Sequence, residues 1–291
     1  MSLRDAAELA RTIQVYRDDG RVQPYTLRST RFELLEDVGV GVAAFDCVSN
    51  LHALTPNLMQ ETFLILEHAK RLDGCRALVW TATGTKAFCA GAALRGDMDL
   101  HVPTDVAEEY RARGLAPQPD DMALGALTRA MWDFPKPSVA AINGLAVGGG
   151  ANIALANYFD LVVCAEHARF KYPFADLGIT PELGSSKLVP FVVGMARAKR
   201  IFLLGDWMSA REAEAMGLAS HVVESARLLP AAVELATRLA AKPPHAVRGA
   251  KRLLNHHLRE QLDGVLAEEN RTIKEALRAL SEGGGTFGSK L

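Results

Sequence analysis

This chain of 291 residues has no excess of charge of either sign, because its 33 lysines and arginines are balanced by 34 aspartates and glutamates. Without a basic surplus the sequence has no electrostatic footprint for nucleic acid or for an anionic membrane surface, so neither partner is expected. Cysteine is also scarce, and the four thiols are scattered without a CxxC pair. With no secretory signal at the N-terminus, this pattern predicts reduced cysteines in a cytoplasmic protein.

Patterns typical of metal sites and membrane spans are lacking as well. The eight histidines show no HExxH or comparable ligand spacing, so no metal site is expected. Residues 137–159 form an uncharged stretch whose length would suit a membrane helix, but glycines, asparagines and a proline interrupt it. A buried strand, a turn and a buried helix explain this stretch better than a span does.

The pattern of apolar residues alternates between strand and helix along most of the chain. Short apolar runs that suit buried strands cover residues 32–36, 38–45, 77–82, 139–142 and 160–164. Helices are predicted at residues 56–72, 122–132, 150–158 and 209–216, and nearly throughout the chain beyond Pro230. This alternation predicts an α/β fold with largely parallel strand pairing and a strand–strand–helix rhythm.

Three parts are expected along the chain. Residues 1–27 are interpreted as a peripheral extension, with a short polar helix at 3–20. Residues 28–225 are expected to hold the core and its functional site, with a loop or loose helix at 95–121. Residues 226–291 are expected to form a C-terminal helical region.

Two glycine-containing segments offer main-chain N–H groups to an anion. Gly84 to Leu94 packs small residues into a turn after a strand, and Gly148–Gly150 lies between an apolar strand and an apolar helix. Glycine lets the main chain approach a ligand closely, and the first N–H groups of a helix attract negative charge. Taken singly, these segments are equally compatible with a tight turn and with close packing of a helix on a strand.

A third segment, Phe170 to Ser186, carries two carboxylates, Asp176 and Glu182, among apolar and small residues. Such surroundings raise the pKa of a carboxyl group toward neutrality, where it is useful for proton transfer. The alternative is that Glu182 is an ordinary acidic residue at the start of a helix near Ser185.

Taken together and in this order, the segments resemble the crotonase (enoyl-CoA hydratase/isomerase) superfamily. The resemblance spans residues 32–266 and is carried by Lys86–Ala92, by Pro135–Gly144 with the glycine triplet, by Phe170–Ser186 and by Gly205–Ala219. It implies a crotonase-like spiral of ββα repeats with a C-terminal helical region that builds homotrimers, often paired into hexamers. It also implies an acyl-CoA thioester substrate, as in fatty acid metabolism, and no separate cofactor, because coenzyme A is part of the substrate.

The resemblance assigns roles by position. It implies that the N–H groups of Ala92 and Gly149 form an oxyanion hole for the thioester oxygen, and that the carbonyl of Ala90 binds the adenine. Hydratases of the superfamily use two glutamates, whose places here are taken by Asn152 and Phe174. Neither side chain can transfer a proton or activate water, so both are expected to line the substrate site without acid–base work.

Glu182 instead occupies the place of the single catalytic glutamate of Δ3,Δ2-enoyl-CoA isomerases, which this part of the sequence resembles. Isomerisation needs only one base, which takes a proton from C2 and returns one to C4. The sequence therefore favours an isomerase with Glu182 as its base. Asp176 is a lesser candidate, as the second acid that dienoyl-CoA isomerases require.

Two alternatives stay open. One is a hydratase or another crotonase reaction, such as thioester hydrolysis or decarboxylation, that uses Glu182 or Asp176. The other is a protein that binds acyl-CoA without turnover. The basic residue expected to meet the CoA phosphates is missing, and Lys86, Arg95 and Lys251 are candidates to replace it.

Overall fold

The computed structural model describes residues 5–93, 99–116, 118, 120–156 and 158–282. In this part of the chain the strands are β1 Thr12–Tyr16, β2 Val22–Thr26, β3 Thr30–Leu35, β4 Val40–Phe45, β5 Ala77–Ala82, β6 Ala87–Cys89, β7 Ser138–Ile142, β8 Leu145–Val147, β9 Leu161–Ala165, β10 Arg169–Lys171, β11 Met208–Ser209 and β12 His221–Val223. The α-helices are α1 Pro56–Arg71, α2 Thr104–Ala112, α3 Gly125–Trp132, α4 Gly149–Leu155, α5 Ser185–Val193, α6 Met195–Leu204, α7 Ala210–Ala215, α8 Leu228–Ala240 and α9 Pro244–Glu282.

The central element is a six-stranded sheet in the order β12-β9-β7-β5-β4-β3. Its strands pair in parallel except for β3 and β4, which are antiparallel. The mainly parallel pairing follows from the intervening helices, because a crossover is needed to bring the chain back to the same end of the sheet. The predicted α/β class and parallel pairing are confirmed.

A second, four-stranded sheet has the order β11-β10-β8-β6. Successive strand pairs, β5 with β6, β7 with β8 and β9 with β10, each place their first strand in the large sheet and their second in the small one. A helix follows the second and third of these pairs, as α4 and α5. This is the ββα spiral that the sequence predicted.

The six-stranded sheet separates two apolar layers. Alternate residues of β4 face opposite sides, with Val42 and Ala44 in the layer that α8 covers and Ala43 and Phe45 in the layer that α1 covers. Both faces of the strand are therefore buried, which explains why β4 is apolar throughout.

The predicted helix at residues 3–20 is wrong. Residues 12–16 form β1, which pairs antiparallel with β2, and Ile13 and Val15 are 2% and 1% exposed. These two residues alternate with polar ones at the period of a strand, and both are β-branched, which favours β structure. The segment that the sequence placed at the periphery thus contributes to the main core together with Leu27.

Helix α2 lies within the stretch interpreted as a loop or loose helix. Val106, Ala107 and Tyr110 point from it into the core, so burial of one helical face orders a segment whose composition is polar. The predicted helix at residues 209–216 is present as α7, in which Ser209 and Glu212 form a reciprocal capping box at the start and Gly217 follows the end with a φ of +80°.

Helix α9 contains 39 residues and extends about 58 Å at 1.5 Å per residue. From Leu258 onward one face packs on the rest of the chain through Leu258, Leu262, Leu266, Glu269 and Ile273.

None of the helices in the described residues combines the length and apolarity needed to cross a membrane.

Gly150 brings α4 against the end of β6. A Cβ at this position would lie 2.1 Å from the Cys89 carbonyl oxygen, a main-chain atom that cannot rotate away. The close packing of helix on strand that the glycine triplet suggested is therefore present at its third residue.

We expect Gly150→Ala to lower the free energy of unfolding by about 3 kcal/mol, because the new methyl group must push α4 away from β6. Gly249→Ala is the matched control, since that glycine lies in α9 with nothing within 4 Å of its Cβ position, and alanine there should raise stability by about 0.5–1 kcal/mol. Urea unfolding of both variants measures the difference. Equal stability of the two variants would contradict the packing described.

Candidate active site

Three loops meet at one edge of the four-stranded sheet. Strands β6, β8 and β10 are parallel neighbours, so their carboxyl ends lie at the same edge. Ala90–Ala92 follows β6, Gly148 and Gly149 follow β8, and the segment that leads to Glu182 follows β10. The topology thus collects the three motifs that the sequence analysis identified.

Gly91 fixes the loop after β6. Its φ is +87°, and a Cβ there would lie 2.6 Å from the Val147 carbonyl oxygen and 3.5 Å from the Gly149 nitrogen. Only glycine combines this left-handed conformation with so close an approach to the chain that leaves β8. The loops that carry Ala92 and Gly149 are therefore adjacent.

The main chain of Ala92 is oriented by an isolated parallel bridge to Leu54. Leu54 N donates to the Gly91 carbonyl at 2.8 Å, and Ala93 N donates to the Leu54 carbonyl at 3.5 Å. In a parallel ladder this pattern directs the N–H of the intervening residue, Ala92, away from its partner strand.

Gly148 and Gly149 begin α4. Gly148 has φ +54° and ψ −121°, and Gly149 is the first helical residue, so its N–H has no partner inside the helix. Within the described residues, neither the Ala92 nor the Gly149 N–H donates a main-chain hydrogen bond. Two adjacent loops thus each present one uncommitted main-chain donor at this edge.

The main chain of Glu182 is held tightly. Its carbonyl oxygen accepts hydrogen bonds from Asn152 Nδ2 at 3.0 Å, Ser185 Oγ at 2.6 Å and Ser185 N at 3.1 Å. The next residue, Leu183, has a φ of +59°, a conformation that costs a non-glycine residue about 1 kcal/mol. Its N–H donates to the Ala123 carbonyl at 3.0 Å, and its own carbonyl accepts from the Tyr158 hydroxyl.

The carboxyl group of Glu182 lies against the bare main chain of Gly149. A Cβ built on Gly149 would come within 2.8 Å of Glu182 Oε1, so glycine is what leaves room for the carboxylate. Although the side chain keeps some solvent-accessible surface, desolvation by the surrounding protein raises the pKa of Glu182 to about 8, and the negative charge of Glu269 adds to the rise.

Glu269, on α9, is a residue that the sequence analysis did not identify. Its side chain is buried, and its oxygens accept hydrogen bonds from Gly184 N at 2.7 Å, Ser186 N at 3.0 Å and Ser186 Oγ at 2.5 Å. The available signal was its helical spacing from Leu262, Leu266 and Ile273, which places a carboxylate on the buried stripe of α9.

The other predicted site residues differ in their placement. Asn152 is fully buried and supports the Glu182 main chain. Phe174 is 2% exposed, packs on Tyr172 and Phe202, and forms an apolar wall 4.0 Å from the Cβ position of Gly148. Ala90 is fixed through its N–H to the Leu51 carbonyl at 3.0 Å.

Asp176 lies in a different environment from Glu182. Its side chain is 52% exposed and pairs with Lys171 Nζ at 3.1 Å. The carboxylate whose charge acts on Glu182 is that of Glu269, so the second acid near Glu182 comes from α9.

Of the basic residues considered for the CoA phosphates, Lys251 is buried and engaged. Its Nζ donates to Asp160 Oδ2 at 2.8 Å and to the Lys136 carbonyl at 3.1 Å, which is a structural role. Lys86 is exposed, and Arg95 lies outside the described residues. Among the residues that the structure covers, no group of three or more His, Cys, Asp or Glu side chains suits a metal ion.

Comparison with known proteins identifies the family of this chain. The family model described as enoyl-CoA hydratase/isomerase matches residues 37–289, which is most of the chain. The chain belongs to the enoyl-CoA hydratase/isomerase family. The fold of this family member is also that of a solved enoyl-CoA hydratase/isomerase from Pseudoalteromonas atlantica, with a TM-score of 0.73, 26% identity, and coverage of 89% of this chain and 98% of the other.

Relatives in this enoyl-CoA hydratase/isomerase family carry the names of both reactions. A 1,2-epoxyphenylacetyl-CoA isomerase from Escherichia coli is 32% identical over 78% of this chain and 83% of its own length. A short-chain-enoyl-CoA hydratase from Clostridium acetobutylicum is 29% identical over 83% of this chain and 88% of its own. Family membership therefore fixes the coarse chemistry, and the choice of reaction must come from the side chains of this member.

The raised pKa of Glu182 has a consequence for the stability of this family member. Because the pKa in the folded state, about 8, exceeds the ordinary value of 4.5, the folded chain binds more protons than the unfolded chain between these values. Stability is therefore lost as the pH rises through this window.

We expect Glu182→Gln to remove this loss. At pH 9 the variant should exceed the original chain in free energy of unfolding by about 2–4 kcal/mol, and the difference should vanish near pH 4. Urea unfolding at several pH values measures it, with Glu36→Gln as control because Glu36 is exposed. A difference independent of pH would contradict burial of the Glu182 carboxyl.

Proposed function

We propose that this chain is an enoyl-CoA isomerase that moves a double bond from the 3,4 to the 2,3 position of an acyl-CoA thioester. The observation that carries the proposal is the carboxyl group of Glu182, which lies against Gly149 and has its pKa raised to about 8. A base of this kind both accepts and returns a proton near neutral pH, as isomerisation requires.

The proposed reaction conserves all atoms of the substrate. Glu182 removes a proton from C2, and the electron pair of the broken C–H bond delocalises through C3 and C4 and onto the thioester oxygen as a dienolate. The protonated carboxyl then gives its proton to C4, the C2–C3 double bond forms, and the negative charge leaves the oxygen. No co-reactant is consumed, and Glu182 ends as it began.

In this proposal the dienolate oxygen is bound by the N–H groups of Ala92 and Gly149. Support comes from their position in adjacent loops and from their lack of a main-chain acceptor among the described residues. Fixed donors of this kind stabilise the charged transition state by about 3–4 kcal/mol each. The helical dipole of α4 adds little, because the helix has only seven residues.

The residues around Glu182 favour isomerisation over two-acid hydration. Asn152 Nδ2 donates to the Glu182 carbonyl at 3.0 Å, and a carboxamide has no pKa near neutrality that would let it act as a general acid or base. Phe174 is buried and apolar, so it cannot activate water. Their proposed roles in substrate binding are to support the base and to shape the acyl pocket, with the Ala90 carbonyl meeting the adenine.

The activity test is the conversion of a 3-enoyl-CoA to the 2-trans-enoyl-CoA. We expect Glu182→Gln to lower kcat by about 10³-fold, because it removes the only base in the proposal. Asp176→Asn should keep activity within about twofold, as expected for an exposed ion-pair residue. Full activity of Glu182→Gln would end the assignment, a large loss in Asp176→Asn would indicate a second acid, and faster hydration of crotonyl-CoA would favour a hydratase.

We also propose that the chain assembles as a homotrimer or hexamer. Support comes from large apolar side chains on α6 and on the first half of α9, where Leu203, Leu204, Leu253 and Leu254 are 60–80% exposed. Adjacent large apolar side chains exposed to this degree are typical of interaction surfaces, and we propose that further copies of the chain cover them. Light scattering after gel filtration should give three or six times 31.4 kDa, and Leu254→Glu should reduce the mass. A monomer at micromolar concentration would exclude this assembly.

A further inference from the structure

Glu269 is a buried carboxylate for which the proposed reaction has no use. It lies on α9, far along the chain from the glycine loops, and it is 5% exposed. We propose that Glu269 is a positioning residue: through its hydrogen bonds to Gly184 and Ser186 it holds the segment that places the Glu182 carboxylate beside Gly149. The inference deepens the proposed function, on which its kinetic part rests.

The contacts form a continuous path from Glu269 to Glu182. Glu269 Oε2 accepts from Gly184 N at 2.7 Å, and Oε1 accepts from Ser186 N at 3.0 Å and Ser186 Oγ at 2.5 Å. Between these two residues, Ser185 donates both its N–H and its hydroxyl to the Glu182 carbonyl. Desolvation by burial raises the pKa of the Glu269 carboxyl, and the three donors oppose that rise and fix the geometry of the group.

Helix α9 is itself fixed on both sides of Glu269. Leu262 Cδ1 lies 2.9 Å from the Cβ position of Gly184, so the helix touches the same turn directly. On the other side, Asn270 Oδ1 accepts from Met122 N at 2.8 Å and Asn270 Nδ2 donates to the Asp120 carbonyl at 3.1 Å. Because Leu183 N bonds to Ala123, the Glu182 segment is held by α9 both directly and through residues 120–123.

The charge of Glu269 acts on Glu182 as well. Among the described residues, two further titratable groups interact electrostatically with these carboxyls. Tyr158, whose hydroxyl donates to the Leu183 carbonyl, interacts with both, and Cys89 at the end of β6 interacts with Glu182. Burial raises the pKa of both groups, so both are neutral near pH 7. Negative charge on Glu269 therefore disfavours ionised Glu182 without a cation among these neighbours to offset it.

A simpler interpretation is that Glu269 only caps the N-terminus of α5 and stabilises the fold. The two interpretations differ in what they predict for Glu182. A cap alone would affect stability and leave the kcat plateau of folded enzyme unchanged, whereas the positioning role lowers that plateau. The titration midpoint of Glu182 reports the charge of Glu269 under either interpretation.

The test is Glu269→Gln in the full chain, with Glu268→Gln as the matched control because that neighbour is exposed and pairs with Arg271. The titration of the Glu182 carboxyl is followed by ¹³C NMR, and Glu182→Gln identifies its resonance. In parallel, kcat and KM for 3-enoyl-CoA are measured against pH. The NMR measurement needs no turnover, so it stands even if the proposed isomerase activity fails.

In Glu269→Gln we expect the Glu182 midpoint to fall by about one pH unit and the low-pH limb of kcat/KM to move with it. The high-pH plateau of kcat should fall about tenfold with KM changed less than threefold, since the base is less well placed. Glu268→Gln should match the original chain. An unchanged kcat plateau in folded Glu269→Gln would overturn the inference, because a shifted midpoint alone shows only that the charge of Glu269 acts on Glu182.

A second variant guards against a failure of Glu269→Gln to fold. Ser186→Ala removes the 2.5 Å hydroxyl contact to Glu269 Oε1 and leaves the charge and both main-chain bonds in place. We expect a kcat plateau lowered by about threefold and a Glu182 midpoint shifted by less than about 0.3 unit, because positioning is weakened while charge is kept. A kcat equal to that of the original chain would count against positioning.

Discussion

The candidate active site depends on one contact, which joins the carboxyl group of Glu182 to the main chain of Gly149, a residue without a side chain. The Glu182 carboxyl occupies the space where a side chain of residue 149 would otherwise be, and the protein around it removes most of its water. A desolvated carboxyl costs free energy in its charged form, so the rest of the fold must hold it there. The hydrogen bonds to the Glu182 carbonyl and to Leu183 supply that restraint.

The three glycines of the triplet act differently although they are adjacent. Gly148 adopts a left-handed φ, Gly149 leaves room for Glu182, and Gly150 allows the Cys89 carbonyl to approach α4. The two interpretations of the glycine triplet, ligand binding and close packing of a helix on a strand, are therefore compatible at this turn. Tight packing of α4 on β6 is also what brings the chain of Gly149 next to Gly91.

Much of the fold could be predicted from the sequence because its signals are local. The apolar runs of β4, β5 and β7 and the capping box at Ser209 depend on neighbouring residues alone. The strand β1 was missed because its exposed face is polar and only Ile13 and Val15 mark the buried one. The stretch that contains helix α2 could be predicted only as a loop or loose helix, because a charged composition conceals the short buried face of this helix.

The candidate site was only partly predictable. The glycines and Glu182 could be placed by their motifs. Which of the two carboxylates, Glu182 or Asp176, is removed from water could be decided only from the structure, since both lie in one apolar segment. Asp176 is paired with Lys171 at the surface. Glu269 could not be connected to Glu182 from sequence, because two of its three hydrogen-bond donors are main-chain N–H groups, which every residue type except proline supplies.

The bonds from Glu269 also join parts of the chain that are made at different times. Gly184 and Ser186 precede Glu269 by 85 and 83 residues, and contacts of such separation slow folding because a long loop must close before they form. A nascent polypeptide that has released β10 and α5 from the ribosome still lacks the anchor for residue 182. Placement of the Glu182 carboxyl beside Gly149 therefore waits for α9 to be synthesised and to dock on the start of α5.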